Sequence, residues 1–302
     1  MGKKILLITL TFLVVLVVGA GGYVWQAVNA TIGSIQENID RSQSEKRQEA
    51  IDLEEGDPIS ILLMGVDELE TRDDLGRTDT ILLLTVNPKE ESINMVSLPR
   101  DTLTEIRGQR TEDKISHAHA MGGSETALYT VEHFLDIPVD YFVKVNMESF
   151  VGLVDAVGGV EVDNEFEFTF HEMHYPEGTI KLDGEEALGY ARMRKDDPKG
   201  DFGRQIRQRE VIEELIDKGA SFSSITNLTE ILEVVEDNVQ TNLSLDEMWD
   251  IQSGYKNTIN NVEQHEIEGE DRKMDGISYF FPNESELESL SDELKEHLEV
   301  EE

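Results

Sequence analysis

Seven basic side chains fall between Arg192 and Arg209 (Arg192, Arg194, Lys195, Lys199, Arg204, Arg207, Arg209), against three acids, Asp196, Asp197 and Asp201. The whole chain of 302 residues carries 26 Lys+Arg against 64 Asp+Glu, a formal net charge of −38. The basic island therefore runs against the composition. Arginine grips phosphate oxygens bidentately, and several cations gathered in one stretch suit a diphosphate better than a monophosphate. Arg192 and Arg194 share a face if their segment is extended. Arg204, Arg207 and Gln208 share a face on a helix, and Arg204 falls in its first turn, where backbone N–H groups favour an anion. Simple pairing of these arginines with nearby carboxylates is the competing use.

Asp67 and Asp79 supply the complementary charge. Each sits at the end of an apolar run, 62–66 and 80–86, so neighbouring strands would bring both carboxylates to one rim of a sheet. Paired carboxylates with diphosphate oxygens form a hard, oxygen-only site suited to Mg²⁺ or Mn²⁺. Arg77 and Arg100 add positive charge at the same rim. Metal, arginines and rim position together describe phosphoryl transfer by positioning and charge stabilisation. The histidines carry less. His171 and His174 would pair on a metal only if helical and otherwise read as surface loop; His117 and His119 are candidates for the cleft wall. The phosphate loop GxxxxGK[ST] and the GxSxG elbow are absent, which disfavours ATP-driven and serine-nucleophile chemistry.

The elements that must position these residues follow from apolar patterning. Runs over 59–66, 80–86 and 92–98 are apolar on both faces, as strands covered by helices must be. A further strand is expected over 140–145, with others at 160–162 and 277–281. Helices are expected over 124–135, 149–156, 185–191, 203–218, 225–235 and 245–251. Leu287, Leu290, Leu294 and Leu298 recur at helical spacing in the acidic stretch 283–302, predicting a terminal helix laid on the domain and fraying into a tail. The expected fold is α/β, a mixed central sheet between helical layers over residues 57–282.

Composition excludes several classes. A chain this acidic is no general nucleic-acid binder, because phosphate neutralisation needs a basic surface. Without cysteine there is no disulfide scaffold, thiol nucleophile or thiolate metal site. The acidity reads as adaptation to saline or alkaline surroundings, where salt relieves self-repulsion.

Residues 5–25 are uncharged and follow Lys3 and Lys4. That length spans a bilayer as one transmembrane helix, and the preceding charge holds residues 1–4 in the cytoplasm. Val18 and Ala20 leave open cleavage after Ala20 as a signal peptide. Residues 26–56 then form a polar stalk, and the domain beyond lies outside the cell membrane.

Six motifs in order, LLMGVD (62–67), GRTDTILLLTVNP (76–88), SLPRD (97–101), LVDAVGGVEVD (153–163), LDGEEALGYARMR (182–194) and DFGRQIRQREVI (201–212), resemble the LytR-CpsA-Psr family of cell-wall glycopolymer ligases. The resemblance implies transfer of a teichoic acid-like or capsular polymer from an undecaprenyl-diphosphate carrier to a peptidoglycan hydroxyl, leaving a phosphodiester. It implies Mg²⁺ on Asp67 and Asp79. Arg77, Arg100, Arg192, Arg194, Arg204 and Gln208 would bind the diphosphate and head group, with Arg207 in the same island and Asp201 orienting arginines. It also implies an apolar tunnel for the prenyl chain, to which helix 149–156 is a candidate wall. Asp101, beside Arg100, is a candidate general base. Two other readings share the site: a pyrophosphatase hydrolysing the lipid carrier, and an envelope regulator that binds polyprenyl phosphate without turnover.

Overall fold

The computed structural model describes residues 43–67, 75–220 and 239–300, with five positions between Gly33 and Ile39. Its centre is a six-stranded mixed sheet. β1 (Ile59–Asp67) pairs antiparallel with β2 (Arg77–Asn87), which pairs antiparallel with β3 (Ser92–Ser97). Four short strands follow in the chain: β4 (Leu103–Ile106), β5 (Thr111–Lys114), β6 (Tyr141–Asn146) and β7 (Val160–Asn164). Then come β8 (Phe168–Phe170), β9 (Met173–Tyr175), β10 (Gly178–Leu182), β11 (Val239–Thr241), β12 (Val262–Glu266), β13 (Gly269–Met274) and β14 (Ile277–Pro282). The main sheet has the order β11-β6-β1-β2-β3-β12, with β6 parallel to β1 and β12 parallel to β3.

Helices cover both faces, as the two-sided apolar strands require. Leu62, Met64 and Val66 of β1 point to one face, where α1 (His117–Leu135) packs, and the final helix, α6 (Glu284–His297), closes the same layer through Leu290 and Leu294. Leu298 is buried beside them, so the terminal helix lies on the domain as its leucine spacing predicts. On the other face lie α2 (Met147–Ala156), α3 (Gly184–Arg192), α4 (Asp201–Ala220) and α5 (Leu245–Gly254). Asp183 and Ser244 form capping boxes that fix the starts of α3 and α5.

Sequence patterning placed β1 and β3 within one residue at each end and β2 within three, its start lying at Arg77 instead of residue 80. Helix α1 starts earlier than expected, at His117, because a first turn precedes a kink at Gly122 and Gly123, where φ reaches 72° at Gly123. The hairpins β4–β5 and β8–β9 and the strand β13 lack apolar runs and are not visible in the pattern, whereas β14 falls on the strand expected over 277–281. The expected helix 225–235 and the candidate membrane span 5–25 lie outside the described residues; among the described ones no helix is long and apolar enough to cross a membrane.

Candidate functional site

Helices α2, α3 and α4 stand off the sheet and leave a cavity of about 570 Å³ over β1 and β6. Leu63, Val143 and Val145 form its floor; Phe150, Leu153, Leu188, Ile212 and Leu215 form its walls. These wall residues are the inward stripes of amphipathic helices, which sequence alone cannot tell from ordinary core. The polar residues Asp79, Asn146, Arg192, Arg204 and Gln208 belong to the same cavity. Asn146 was not singled out by sequence. It ends β6 beside Val66 of the parallel strand β1, and the carboxyl ends of parallel strands are where α/β ligands bind; an uncharged residue gave no composition signal.

Asp79 owes its placement to a β-bulge. Gly65 pairs with Thr80 and Val66 with Thr78, so Asp79 is the extra residue of β2, without a Cα partner. A bulge re-aims a side chain that strict alternation would send to the opposite face. Asp67 closes β1 opposite Arg77, the first residue of β2. The two carboxylates expected to share a rim therefore end paired strands, although Asp67 is not among the cavity-lining residues.

Arg100 is ion-paired with Asp79. Its Nε is buried without a hydrogen-bond partner, 3.8 Å from Asp101 Oδ1. Arg204 is only 7% exposed; its Nη2 lies 2.8 Å from Asp201 Oδ1, and its Nε too is buried and unpartnered. Arg194 reaches the same carboxylate at 3.4 Å, so Asp201 holds two arginines at once. Burial lowers the Arg204 pKa, Arg100 and Arg194 push it further down, and Asp201 and Asp79 oppose them. Arg204 thus feels Arg100, Arg194 and Asp79 from three separate stretches of chain. Burial is the largest of these causes, and a bound anion would offset the hydration it removes.

The rest of the island divides. Gln208 donates to Ala191 O at 3.3 Å and lines the cavity with Arg204 and Arg192. Arg192 ends α3 instead of lying on an extended segment; Met193 follows, extended and buried, leaving Arg192 and Arg194 exposed on either side of it. Arg207 does not face the cavity. It pairs with buried Asp197 at 2.5 Å, donates to Tyr190 O at 2.9 Å, and lies over the Phe168 and Tyr190 rings. Gln208 lies about 40° from Arg204 around the helix axis, but Arg207 lies about 100° from Gln208, so the three do not share one face. Arg209 is likewise structural, bound to Ser97 Oγ, Gln264 Oε1 and Glu266 Oε1 at 2.7–2.9 Å.

Asp101 receives Lys114 Nζ at 2.8 Å, an engagement that opposes its use as a free base. His171 and Glu172 have φ of 47° and 68° and form the two-residue turn of the β8–β9 hairpin, where Phe170 pairs with Met173; the metal pair that needed a helix is not formed. His119 Nδ1 lies 3.0 Å from Gly76 O, and His117 Nδ1 lies 2.8 Å from Asp113 Oδ2. Neither lines the cavity.

A polar, arginine-bearing mouth on a long apolar cavity matches an amphiphilic ligand, and comparison with known proteins fixes the lineage. The sequence signature of the LytR_cpsA_psr family matches residues 22–296. The chain belongs to the LytR-CpsA-Psr family. It is a transferase of cell-wall biogenesis. Polyisoprenyl-teichoic acid–peptidoglycan teichoic acid transferase TagU of Bacillus subtilis (strain 168) is 51% identical over 301 residues, 98% of this chain and 97% of the relative. The crystal structure of B. subtilis TagU superposes with a TM-score of 0.66 at 50% identity, over 82% of this chain and 98% of that one. A structure of TagT bound to LIIa-WTA gives 0.75 at 34% identity, over 88% of this LytR-CpsA-Psr chain and all of TagT (100%).

Proposed function

We propose that this protein moves a teichoic acid-like glycopolymer from an undecaprenyl-diphosphate carrier to a peptidoglycan hydroxyl, on the outer side of the cell membrane. The observation that carries the reading is that buried Arg204, its Nε without a hydrogen-bond partner, and Asp79, ion-paired with Arg100, line an otherwise apolar cavity: one end suits a diphosphate, the other a hydrocarbon chain. The names of the TagU relatives and the TagT complex support the same substrate class.

Asp67 and Asp79 offer only carboxylate oxygens, the donors Mg²⁺ or Mn²⁺ prefers, and the bulge turns Asp79 to the cavity. They would hold the cation, which would neutralise diphosphate oxygens and the departing phosphate. Arg100 would leave Asp79 for the diphosphate. Arg192, Arg194 and Arg204 would fix the phosphoryl oxygens, with Arg77 at the rim and Gln208 on the head group. The acceptor hydroxyl oxygen attacks the sugar-linked phosphorus, the bond to the bridging oxygen breaks, undecaprenyl phosphate leaves, and the hydroxyl proton passes to a base.

Incubating the full chain with a lipid-linked diphosphate glycan and peptidoglycan oligomers in Mg²⁺ should yield the phosphodiester, and Asp79→Ala should not. Release of free glycan phosphate despite saturating acceptor would instead assign a pyrophosphatase. Bound lipid that never turns over would assign a regulator.

A further inference from the structure

Strand polarity settles on which side of Gln36 the residue before it lies. β1 and β6 both run toward the rim that holds Asp67 and Asn146. β11 is antiparallel to β6, Val239 facing Val145 and Thr241 facing Val143, so it runs away from the rim. Gln36 pairs parallel with Thr241, and Glu37 N donates to Thr241 O at 2.8 Å. Ile35 therefore lies on the rim side of Gln36. Buried Ile35 and the bond from Ser124 Oγ to Glu37 Oε2 at 3.0 Å pin that placement.

Only nine residues lie between Trp25, the end of the uncharged stretch, and Ile35. Whatever their conformation, they span at most about 35 Å, or about 15 Å if helical. That reach limits how far residues 5–25 can lie from buried Ile35.

The rim end also carries two large apolar side chains open to solvent, Leu75 (56% exposed) and Met121 (39%). Leu75 lies against the α1 kink, two residues along the helix from Met121: a Cβ on Gly123 would lie 3.6 Å from Leu75 Cδ1. Gln109 Nε2 donates to Met121 O at 3.4 Å, tying the β4–β5 turn to the patch. This turn, Arg107 to Arg110, holds two exposed cations and no acid in a −38 chain, although Arg107 also pairs with Glu105 at 3.1 Å.

We propose that the Leu75–Met121 patch, with the arginine turn beside it, rests on the outer surface of the lipid bilayer and aims the cavity mouth at the membrane. The proposal rests on residues 5–25 being a membrane anchor. Two apolar side chains are far too little to bind a membrane alone, but a tethered domain faces the surface at high effective concentration, so they need only orient it. Cationic side chains at that surface suit anionic lipid phosphates. A carrier lipid then passes its diphosphate to the arginines without its chain crossing water.

The absence of cysteine makes the test direct. Leu75→Cys, Met121→Cys and, as a control at the opposite end, exposed Trp249→Cys of α5 are made in the full chain, labelled with an environment-sensitive dye, and placed in phosphatidylglycerol–phosphatidylethanolamine vesicles containing nitroxide lipid. Quenching at 75 and 121 should exceed that at 249 by roughly threefold or more. Equal quenching at all three sites, with the chain still floating with the vesicles, overturns the patch and leaves the anchor standing. A chain that does not float overturns the anchor, and the patch with it. A Leu75→Asp/Met121→Asp variant should lose activity on vesicle-embedded donor and keep it on donor in detergent micelles; equal loss in both would overturn the orienting role.

Discussion

Arg100 is ion-paired with the cavity-lining Asp79 while its own Nε stays buried and unbonded. The pair holds the guanidinium ready where charge must develop and leaves a donor for an incoming oxygen. Arg100→Ala should lower transfer by about 10²–10³-fold, the usual effect of losing one charge-stabilising donor. Arg100→Lys should restore only part, because a point charge cannot replace the planar fork. Initial rates with lipid-linked donor and peptidoglycan oligomers would measure both, and full activity in Arg100→Ala would remove Arg100 from the site.

Arg204 and Arg207, three residues apart, should separate function from stability. Arg207 and Asp197 are almost wholly buried, so Arg207→Ala leaves an uncompensated carboxylate and should destabilise the fold by about 3–5 kcal/mol. Arg204→Ala removes a guanidinium whose pKa is already depressed and leaves Asp201 partly hydrated and still near Arg194. It should unfold at nearly the native denaturant midpoint yet lose transfer. Urea unfolding and the transfer assay on both variants would test the division.

That division marks how far sequence reaches. The island showed that arginines converge, because seven basic residues stand out against −38. It could not say which face the cavity, because a 100° step separates Arg207 from Gln208, both are buried, and only the position of α3 decides which of them lines it. Asp79 was chosen for ending a strand, yet it reaches the cavity through a bulge that alternation does not encode. The main strands were legible because apolar runs on two faces have few other uses. The hairpin β8–β9 and the strand β13 were not, since turn residues such as His171 and Glu172 carry little preference for positive φ.

The cavity walls should select donors by chain length. Leu153 and Leu188 face each other's helices around the space, and Leu153→Trp would fill part of it. If a prenyl chain lies there, the variant should raise KM for a long-chain donor by roughly tenfold or more, given about 0.8 kcal/mol for each methylene displaced. A donor with a short prenyl chain should keep its kcat. Equal effects on both donors would place the chain elsewhere.

Charge repulsion at −38 should make the protein salt-seeking. Its Tm should rise from low salt to molar NaCl as exposed carboxylates are screened. Buried pairs such as Arg47–Asp140 and Arg207–Asp197 are shielded from ions and should contribute little to the change. A flat melting temperature across that range would detach the acidity from solvent adaptation.

His297 fastens α6 to the sheet. Its Nδ1 lies 2.8 Å from Thr85 Oγ1, its Nε2 2.9 Å from Ser92 Oγ, and its carbonyl accepts from Asn87 Nδ2 at 2.8 Å. Burial lowers its pKa and His265 lowers it further, against Glu90, Glu293 and Glu263, which raise it. The folded protein therefore keeps this ring neutral at a pH where the unfolded chain, with a value near 6.5, has begun to bind a proton. A depressed value gives stability that is complete above about pH 6.5 and drains away as the pH falls toward the folded value. His297→Gln should be less stable than the native protein at pH 8, having lost the two-sided contact. The gap should narrow as the pH drops from about 7 to about 5, since only the native chain forfeits this contribution. Other carboxylates titrate in both proteins and cancel in the comparison. Urea unfolding at several pH values would show the convergence; parallel curves would mean that the ring stays neutral in both states or charged in both.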